Sequence, residues 1–487
     1  MKYIIAHDLG TSSVKSAIFT TEGELVRSCS PDYETIYTNG GTCEEQNPED
    51  WWKAFCQNNK TLLEGLDPAD VEVVSFDGTY PNCICVDKDL KPLYKALIWQ
   101  DNRAAAEAGE ISDKLSPEYA TQHPNGRLTV DRTLPKLLWL RKHKPEVYEN
   151  IYKVLPCASQ YIILKLTKKA VADYRTGFST ACENLERNAW SDYMIELAGI
   201  PKDILPELHA RTDVIGEVGA DLSEECGLAV GTKLVLGTGD SDSGDVGMGM
   251  LHEGDCYMNG STSATFVVVN PKVKGLWPPP TSCSGGSIKW MIRTLCTEEQ
   301  KLAEEKGCDV YDIVNERIAE APVGSHGVMF HPYLAGERGT LNNPDAKASF
   351  TGLSLEATHS DMLRAVYEGI GMNLYNVLQM ARDEGYKFSS MPMIGGMAKS
   401  PVLRQIFADI MGVEFYTVKH IDMVTAFGVA VLGGIGVGIY KDETAQEKFI
   451  HIVDRTKPNM ENHEKYKKII PLFNKVYGAQ APLYKEM

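Results

Sequence analysis

Apolar and polar residues alternate over short runs at the start of the chain and give way to helical spacing further on. Tyr3 to Ala6 is apolar and ends at Asp8-Leu9-Gly10; Ser13 to Phe19 alternates; Thr21-Glu22-Gly23 is a turn before Glu24 to Ser28. This pattern predicts a β-meander with turns at Gly10 and Gly23. Asn47-Pro48-Glu49 reads as a helix start with Trp51, Trp52 and Phe55 on one face. Strands are predicted at Val71–Phe76, Ile84–Val86 and Ala96–Trp99, and helix over Leu134–His143 and Pro145–Tyr152. The second half opens in a similar way. Lys233–Leu236 leads to Gly237-Thr238-Gly239-Asp240, then Cys256–Asn259 and Ser263–Val269 flank Gly260-Ser261-Thr262. Two apolar hairpins with small, hydroxyl-rich tips, half a chain apart, suggest a duplicated α/β domain.

Later segments are helical or buried. Asp361–Arg382 has apolar residues at helical spacing, Met391–Ile394 is a strand stopped by Gly395-Gly396, and Ser400-Pro401 starts a helix to Met411. The longest uncharged apolar run, Ala426–Tyr440, is shorter than the roughly 20 residues of a membrane span and reads as a buried helix. Pro278-Pro279-Pro280 is expected in a surface loop.

Length changes this picture first. With 487 residues the chain exceeds the roughly 250–300 that one core supports, so two domains are expected. Their expected extents are residues 1–248 and 249–487. A net charge of −17 disfavours nucleic acid and anionic membrane as partners, although backbone amides and a metal can still hold a nucleotide's phosphates. Twelve scattered cysteines without a C-x-x-C pair, and a Met1-Lys2-Tyr3 start that runs straight into a strand, predict reduced thiols and a cytoplasmic location.

Few residues could carry chemistry. Asp8-Leu9-Gly10-Thr11-Ser12 can present backbone N–H groups to phosphate oxygens beside a carboxylate able to hold hydrated Mg2+, or it is an ordinary hairpin turn. Gly260-Ser261-Thr262 is a weaker version of the same turn. Gly395-Gly396-Met397-Ala398-Lys399-Ser400 joins a strand to a helix, where a flat ligand could lie on the glycine backbone. Asp240, at a strand end, could serve as a general base. The acidic run it opens does not fit a calcium loop, since Asp245 and Leu251 stand where glycine and glutamate are needed. G-x-x-x-x-G-K-[ST] is absent.

Together these pieces resemble the FGGY carbohydrate kinases of the actin/Hsp70/sugar-kinase superfamily, nearest to the xylulokinase branch. Ala348–Leu353, Asp361-Met362 and Ala365-Val366-Tyr367-Glu368 match the family's second signature, and Thr133–Leu140 its first. Glu45-Gln46, Trp51-Trp52 and Pro332–Arg338 agree as well. The resemblance implies two actin/Hsp70-like, ribonuclease H-like ATPase domains of α/β class with an interdomain cleft. It implies ATP and Mg2+ as cofactors, a small ketose or polyol as acceptor, and an oligomeric state left open, a homodimer being one form. Carried over residue by residue, Asp240 becomes the catalytic base. Asp8, Gly10, Thr11, Ser12, Gly260, Ser261, Thr262, Gly395, Gly396, Met397 and Ser400 become the ATP site. Asp8 and Asp240 become the metal carboxylates, and Tyr80, Pro81, Asn82, Trp99, Asp101, Arg103, Asp240 and Ser241 the acceptor site. Two departures stand out. Ser241 replaces the usual Asn or Gln, and Tyr80-Pro81-Asn82 replaces a Met-His-Gly stretch. The competing expectations are a non-catalytic nucleotide-binding regulator on the same scaffold, another ketose, polyol or hydroxyketone as substrate, and an actin-like filament or Hsp70-like chaperone.

Overall fold

The computed structural model describes residues 1–39, 42–272 and 277–487. The chain forms two compact units. One is Met1–Gly249 with Met423–Phe449; the other is Met250–Asp422 with Ile450–Met487. Dividing the sequence at 248/249 leaves residues 423–449 with the second half, whereas they pack into the first unit.

In the first unit, β1 (Tyr3–Leu9), β2 (Val14–Thr20) and β3 (Leu25–Cys29) form the predicted meander. Helix α1 (Pro48–Leu62) starts at the Asn47 cap, whose side chain accepts from Glu49 N, with proline at its first position and Trp51, Trp52 and Phe55 buried. β4 (Val71–Gly78) runs parallel to β1, with Asp8 opposite Asp77. Helix α2 (Thr133–His143) follows. The predicted continuation through Tyr152 is only the turn Pro145–Tyr148, because Tyr152 N pairs with Val86 O and the chain goes directly into a strand. β5 (Val214–Glu217) and β6 (Lys233–Gly239) complete a six-stranded sheet in the order β5-β6-β4-β1-β2-β3. Helix α3 (Asp240–Gly247) leaves the end of β6.

The second unit repeats this plan. β7 (Cys256–Gly260) and β8 (Ala264–Val268) form a hairpin, followed by α4 (Gly285–Leu295), α5 (Val310–Glu320), α6 (His359–Asp383), β9 (Ser390–Ile394), α7 (Pro401–Met411) and β10 (Glu414–Val418). The chain then enters the first unit for α8 (Val424–Gly436), and returns for β11 (Ile452–Thr456) and α9 (Met460–Gln480). The sheet order is β8-β7-β9-β10-β11. In each unit an antiparallel hairpin lies beside two parallel strands and one antiparallel edge strand, which is the duplication suggested by the two turns.

Helix α8 is the apolar run of the sequence analysis. Ala426 to Gly434 are buried, and the helix packs on β1, β4, β6 and α3. The α3–α8 contact needs glycine on both sides. A Cβ on Gly247 would overlap the Val424 carbonyl, and one on Gly428 the Ser243 carbonyl. The close approach fixes α3, and Asp240 opens α3. Among the described residues, no helix is long and apolar enough to cross a membrane.

Candidate active site

Three neighbouring parallel strands of the first unit end in acids. β1 supplies Asp8, β4 supplies Asp77, and Asp240 follows β6 directly. Ligands of open α/β sheets gather at such carboxyl ends. Asp8 is 4% exposed and accepts a hydrogen bond from Thr425 Oγ1 of α8 at 2.6 Å. Asp240 is half-buried, and its Oδ1 accepts from Ser241 N at 2.7 Å. Burial, and then the charge of Asp8, push the Asp240 carboxyl up to about 7. Asp77 is fully buried, and neither of its oxygens makes a fully formed hydrogen bond, the Ser243 hydroxyl and Asp8 being its polar neighbours. Burial raises its pKa well above the usual range, with Asp8 and Asp240 adding to the effect. Asp77 lacks the hydroxyl-rich hairpin turn that marks Asp8 in the sequence, and its place beside Asp8 comes from the parallel register.

These carboxylates suit the magnesium that the family implies. They are hard oxygen donors, and Mg2+ takes one or two carboxylates while keeping several waters. Among the described residues no three His, Cys, Asp or Glu form a ready-made metal cage.

The turn after β1 is held from behind. Gly10 O accepts from the Tyr33 hydroxyl, Thr11 O from Gln46 Nε2 at 2.5 Å, and Ser12 O from Tyr33 N at 3.0 Å. Trp99 is 41% exposed, and its indole N–H donates to Thr11 Oγ1 at 3.2 Å. Tyr80, also half-buried, places its hydroxyl 2.9 Å from Ser241 Oγ and donates to Asp242 Oδ2 at 2.7 Å. Arg175 Nε lies 3.0 Å from Asp242 Oδ1. Tyr80, Ser241, Asp242 and Arg175 therefore form one hydrogen-bonded wall, of which the sequence indicated only Tyr80 and Ser241.

Four of the expected acceptor residues point into the protein instead. Asn82 is fully buried and donates to Thr79 O at 2.8 Å, and Pro81 is buried beside it. Asp101 is fully buried, its carboxylate taken up by Glu44 N at 2.7 Å and by the Arg103 guanidinium. Arg103 also pairs with Glu45 at 2.8 Å and sits 5.0 Å from the centroid of Trp139. Residue type and position suggested sugar contacts, but these side chains brace the loops carrying Tyr80 and Trp99. The brace centres on Lys136 of the first signature. It is fully buried and donates to the carbonyls of Pro81 (3.0 Å), Ile98 (2.7 Å) and Asp131 (2.6 Å).

The second unit contains a cavity of about 510 Å3. It is lined by the turn Gly260-Ser261-Thr262, by Gly285 of α4, by Gly396, Met397 and Ser400, and by Tyr367 and Asn315. Gly395, with φ 84°, makes this junction possible, since a Cβ there would stand 2.5 Å from the Gly260 carbonyl. Gly396 has open space where a Cβ would be. Ser400 caps α7, its Oγ accepting from Leu403 N at 3.1 Å while it donates to Asn315 Oδ1 at 2.8 Å. The carbonyls of Ser261 and Thr262 accept from Gly285 N and Gly286 N, both at 3.0 Å, which ties the turn to the start of α4. Asp309, Tyr311 and Asp312 at the start of α5 close another side of the cavity, in a segment the sequence analysis did not single out.

The sequence model of the FGGY family of carbohydrate kinases matches through its N-terminal domain over residues 3–247 and through its C-terminal domain over residues 256–437. The chain belongs to the FGGY family of carbohydrate kinases. As a member it is an ATP-dependent phosphotransferase with an alcohol acceptor. It is 29% identical to a xylulose kinase of Staphylococcus epidermidis, covering 97% of this chain and 96% of that one. It is 27% identical to a gluconokinase of Bacillus licheniformis, covering 97% and 94%. The crystal structure of ligand-bound xylulose kinase from Lactobacillus acidophilus superposes with a TM-score of 0.82 at 26% identity over the whole of both chains. These neighbours share the two-domain actin/Hsp70-like fold expected from the signatures.

In this FGGY kinase the second signature is scaffold apart from Tyr367, which lines the cavity. Asp361 forms a capping box with Thr358 at the start of α6. Glu368 accepts from Gly324 N, Ser325 Oγ, Arg364 Nε and Tyr466 OH at 2.7–2.9 Å, all within the core of the second unit.

Proposed function

We propose that this kinase phosphorylates a hydroxyl of a pentulose such as D-xylulose, with Asp240 as the base. The observation that carries the reading is Asp240 itself. It is a half-buried acid at the end of a parallel strand, its carboxyl raised to about 7 and beside Asp8. A general base works best with a pKa near the operating pH. Asp240 would take the proton of the attacking hydroxyl, and Tyr80, Ser241 and Trp99 would orient the sugar. In the first unit the turn after β1, its carbonyls secured from behind, would turn the amides of Thr11 and Ser12 to phosphate oxygens, the Gly10 amide being taken by Ser13 O at 3.0 Å. The adenosine would lie against Gly396 and Met397 in the cavity capped by Ser400. Asp8 and Asp240 would hold magnesium, which when bound neutralises developing charge on the transferred phosphoryl group.

A second reading concerns the acceptor only. Arg175, with its side chain 53% exposed beside Tyr80 and Ser241, offers a cation to the carboxylate of a sugar acid, and gluconokinases are among the relatives. A coupled ADP-release assay over ketoses, polyols and gluconate separates the two. Asp240→Ala is expected to lower kcat by about 10²–10⁴ while nucleotide still binds. Lack of stimulation by any sugar would favour a regulatory nucleotide-binding protein.

A further inference from the structure

Asp77 is not explained by the fold. A buried carboxyl is normally hydrogen-bonded or paired with a cation, and leaving one without either is strongly unfavourable. Yet Asp77 is fully buried with no cation beside it and no fully formed hydrogen bond to either oxygen; what lies near it is the Ser243 hydroxyl and two more acids, Asp8 and Asp240. Its position is fixed by the sheet. β4 lies between β1 and β6, and Asp77 stands in register with Asp8 on the adjacent strand. Exposure decreases from Asp240, which is half-buried, through Asp8 at 4%, to Asp77 at 0%. A cation arriving from solvent would meet the first two directly, with Asp77 behind them.

We propose that Asp77 is the outer carboxylate of the cation site, accepting hydrogen bonds from the waters of a hydrated divalent ion held by Asp8 and Asp240. The inference rests on the reading of Asp8 and Asp240 given above. It also accounts for the absence of a three-ligand cage among the described residues, because an acid that binds through water need not reach the ion. The unfavourable apo arrangement is what binding relieves, so the ion should stabilise the first unit through this residue.

Mn2+ alone, without nucleotide or sugar, is the probe. Its free concentration is followed by electron paramagnetic resonance, and the melting temperature is measured with and without it. Asp77→Asn should weaken Mn2+ binding about tenfold or more, as loss of outer-shell partners does. The same variant should melt higher than wild type in EDTA, because an amide can donate to Asp8. Mn2+ affinity within twofold of wild type, or a lower metal-free melting temperature, would overturn the proposal. Asp77→Ala, which removes the carboxyl without adding a donor, should also weaken binding. Failure of both variants to fold would overturn the proposal too, since the fold and not the ion would then need the acid. Asp8→Asn is the control. If it leaves Mn2+ binding intact, the cation site itself is misplaced, whereas intact binding in the Asp77 variants alone refutes only the role of Asp77.

Discussion

Replacing Lys136 by methionine should unfold the first unit more easily and loosen its hold on sugar without touching nucleotide. The ammonium is fully buried and donates to three backbone carbonyls, at 3.0, 2.7 and 2.6 Å. Each carbonyl left unpaired costs about 1–3 kcal/mol, so the three together cost about 6 kcal/mol. Removing a buried charge offsets part of this. Burial lowers the Lys136 pKa from 10.5 to about 8, a penalty on the ammonium of roughly 3 kcal/mol that methionine no longer carries. The net loss is therefore about 3 kcal/mol. Urea unfolding followed by tryptophan fluorescence reads it, because five of the seven tryptophans lie in the first unit. The Pro81 and Ile98 carbonyls adjoin Tyr80 and Trp99, so the KM for sugar should rise about tenfold, equivalent to ~1.4 kcal/mol, while the KM for ATP stays put. A stability change under about 1 kcal/mol, or equal rises in both KM values, would refute the brace.

Other consequences can be checked in parallel. Asp240 has a folded pKa of about 7, above its unfolded value, so its contribution to stability is complete below about pH 4 and is lost as pH rises through 7. In EDTA, Asp240→Asn should therefore melt above wild type at pH 8 and lose that advantage near pH 4. Gly396→Ala places a methyl in open cavity space and should raise the KM for ATP with an unchanged melting temperature. Gly395→Ala, at φ 84° and against the Gly260 carbonyl, should instead destabilise the second unit by about 2 kcal/mol or more, read by calorimetry. Tyr80→Phe removes the hydroxyl bonded to Ser241 and Asp242, and should change the KM for sugar at a stability cost of about 1 kcal/mol.

Where local pattern and tertiary role coincide, the sequence was legible. β1, α1, α6 and α7 appear where alternation, helical spacing, the Asn47 cap and Ser400-Pro401 place them. The run at Ala426–Tyr440 was recognisably a buried helix, but nothing local indicated which core buries it, because packing of α8 on β1 and β4 is a long-range fact. Likewise the helix expected through Tyr152 gave way to one hydrogen bond from Tyr152 N to the Val86 carbonyl. Asp8 and Asp240 stood out by their turns. Asp77 did not, because its significance lies in the parallel register that sets it beside Asp8.

The residues that make the family recognisable are not those that would choose its sugar, and this has a physical cause. Glu368 satisfies four donors and Lys136 three acceptors inside closed networks, so almost any replacement leaves buried polar groups unpaired. Such positions tolerate little change whatever the substrate. Tyr80, Ser241, Asp242 and Arg175 sit at the edge of the same scaffold with partial exposure, and each can be exchanged without orphaning a core group. Recognition of the fold is thus carried by the interior and recognition of the acceptor by this wall. It follows that exchanging Tyr80 and Ser241 together should redirect the kinase among sugars at little loss of stability, whereas no substitution at Glu368 or Lys136 should alter sugar preference without first loosening a core.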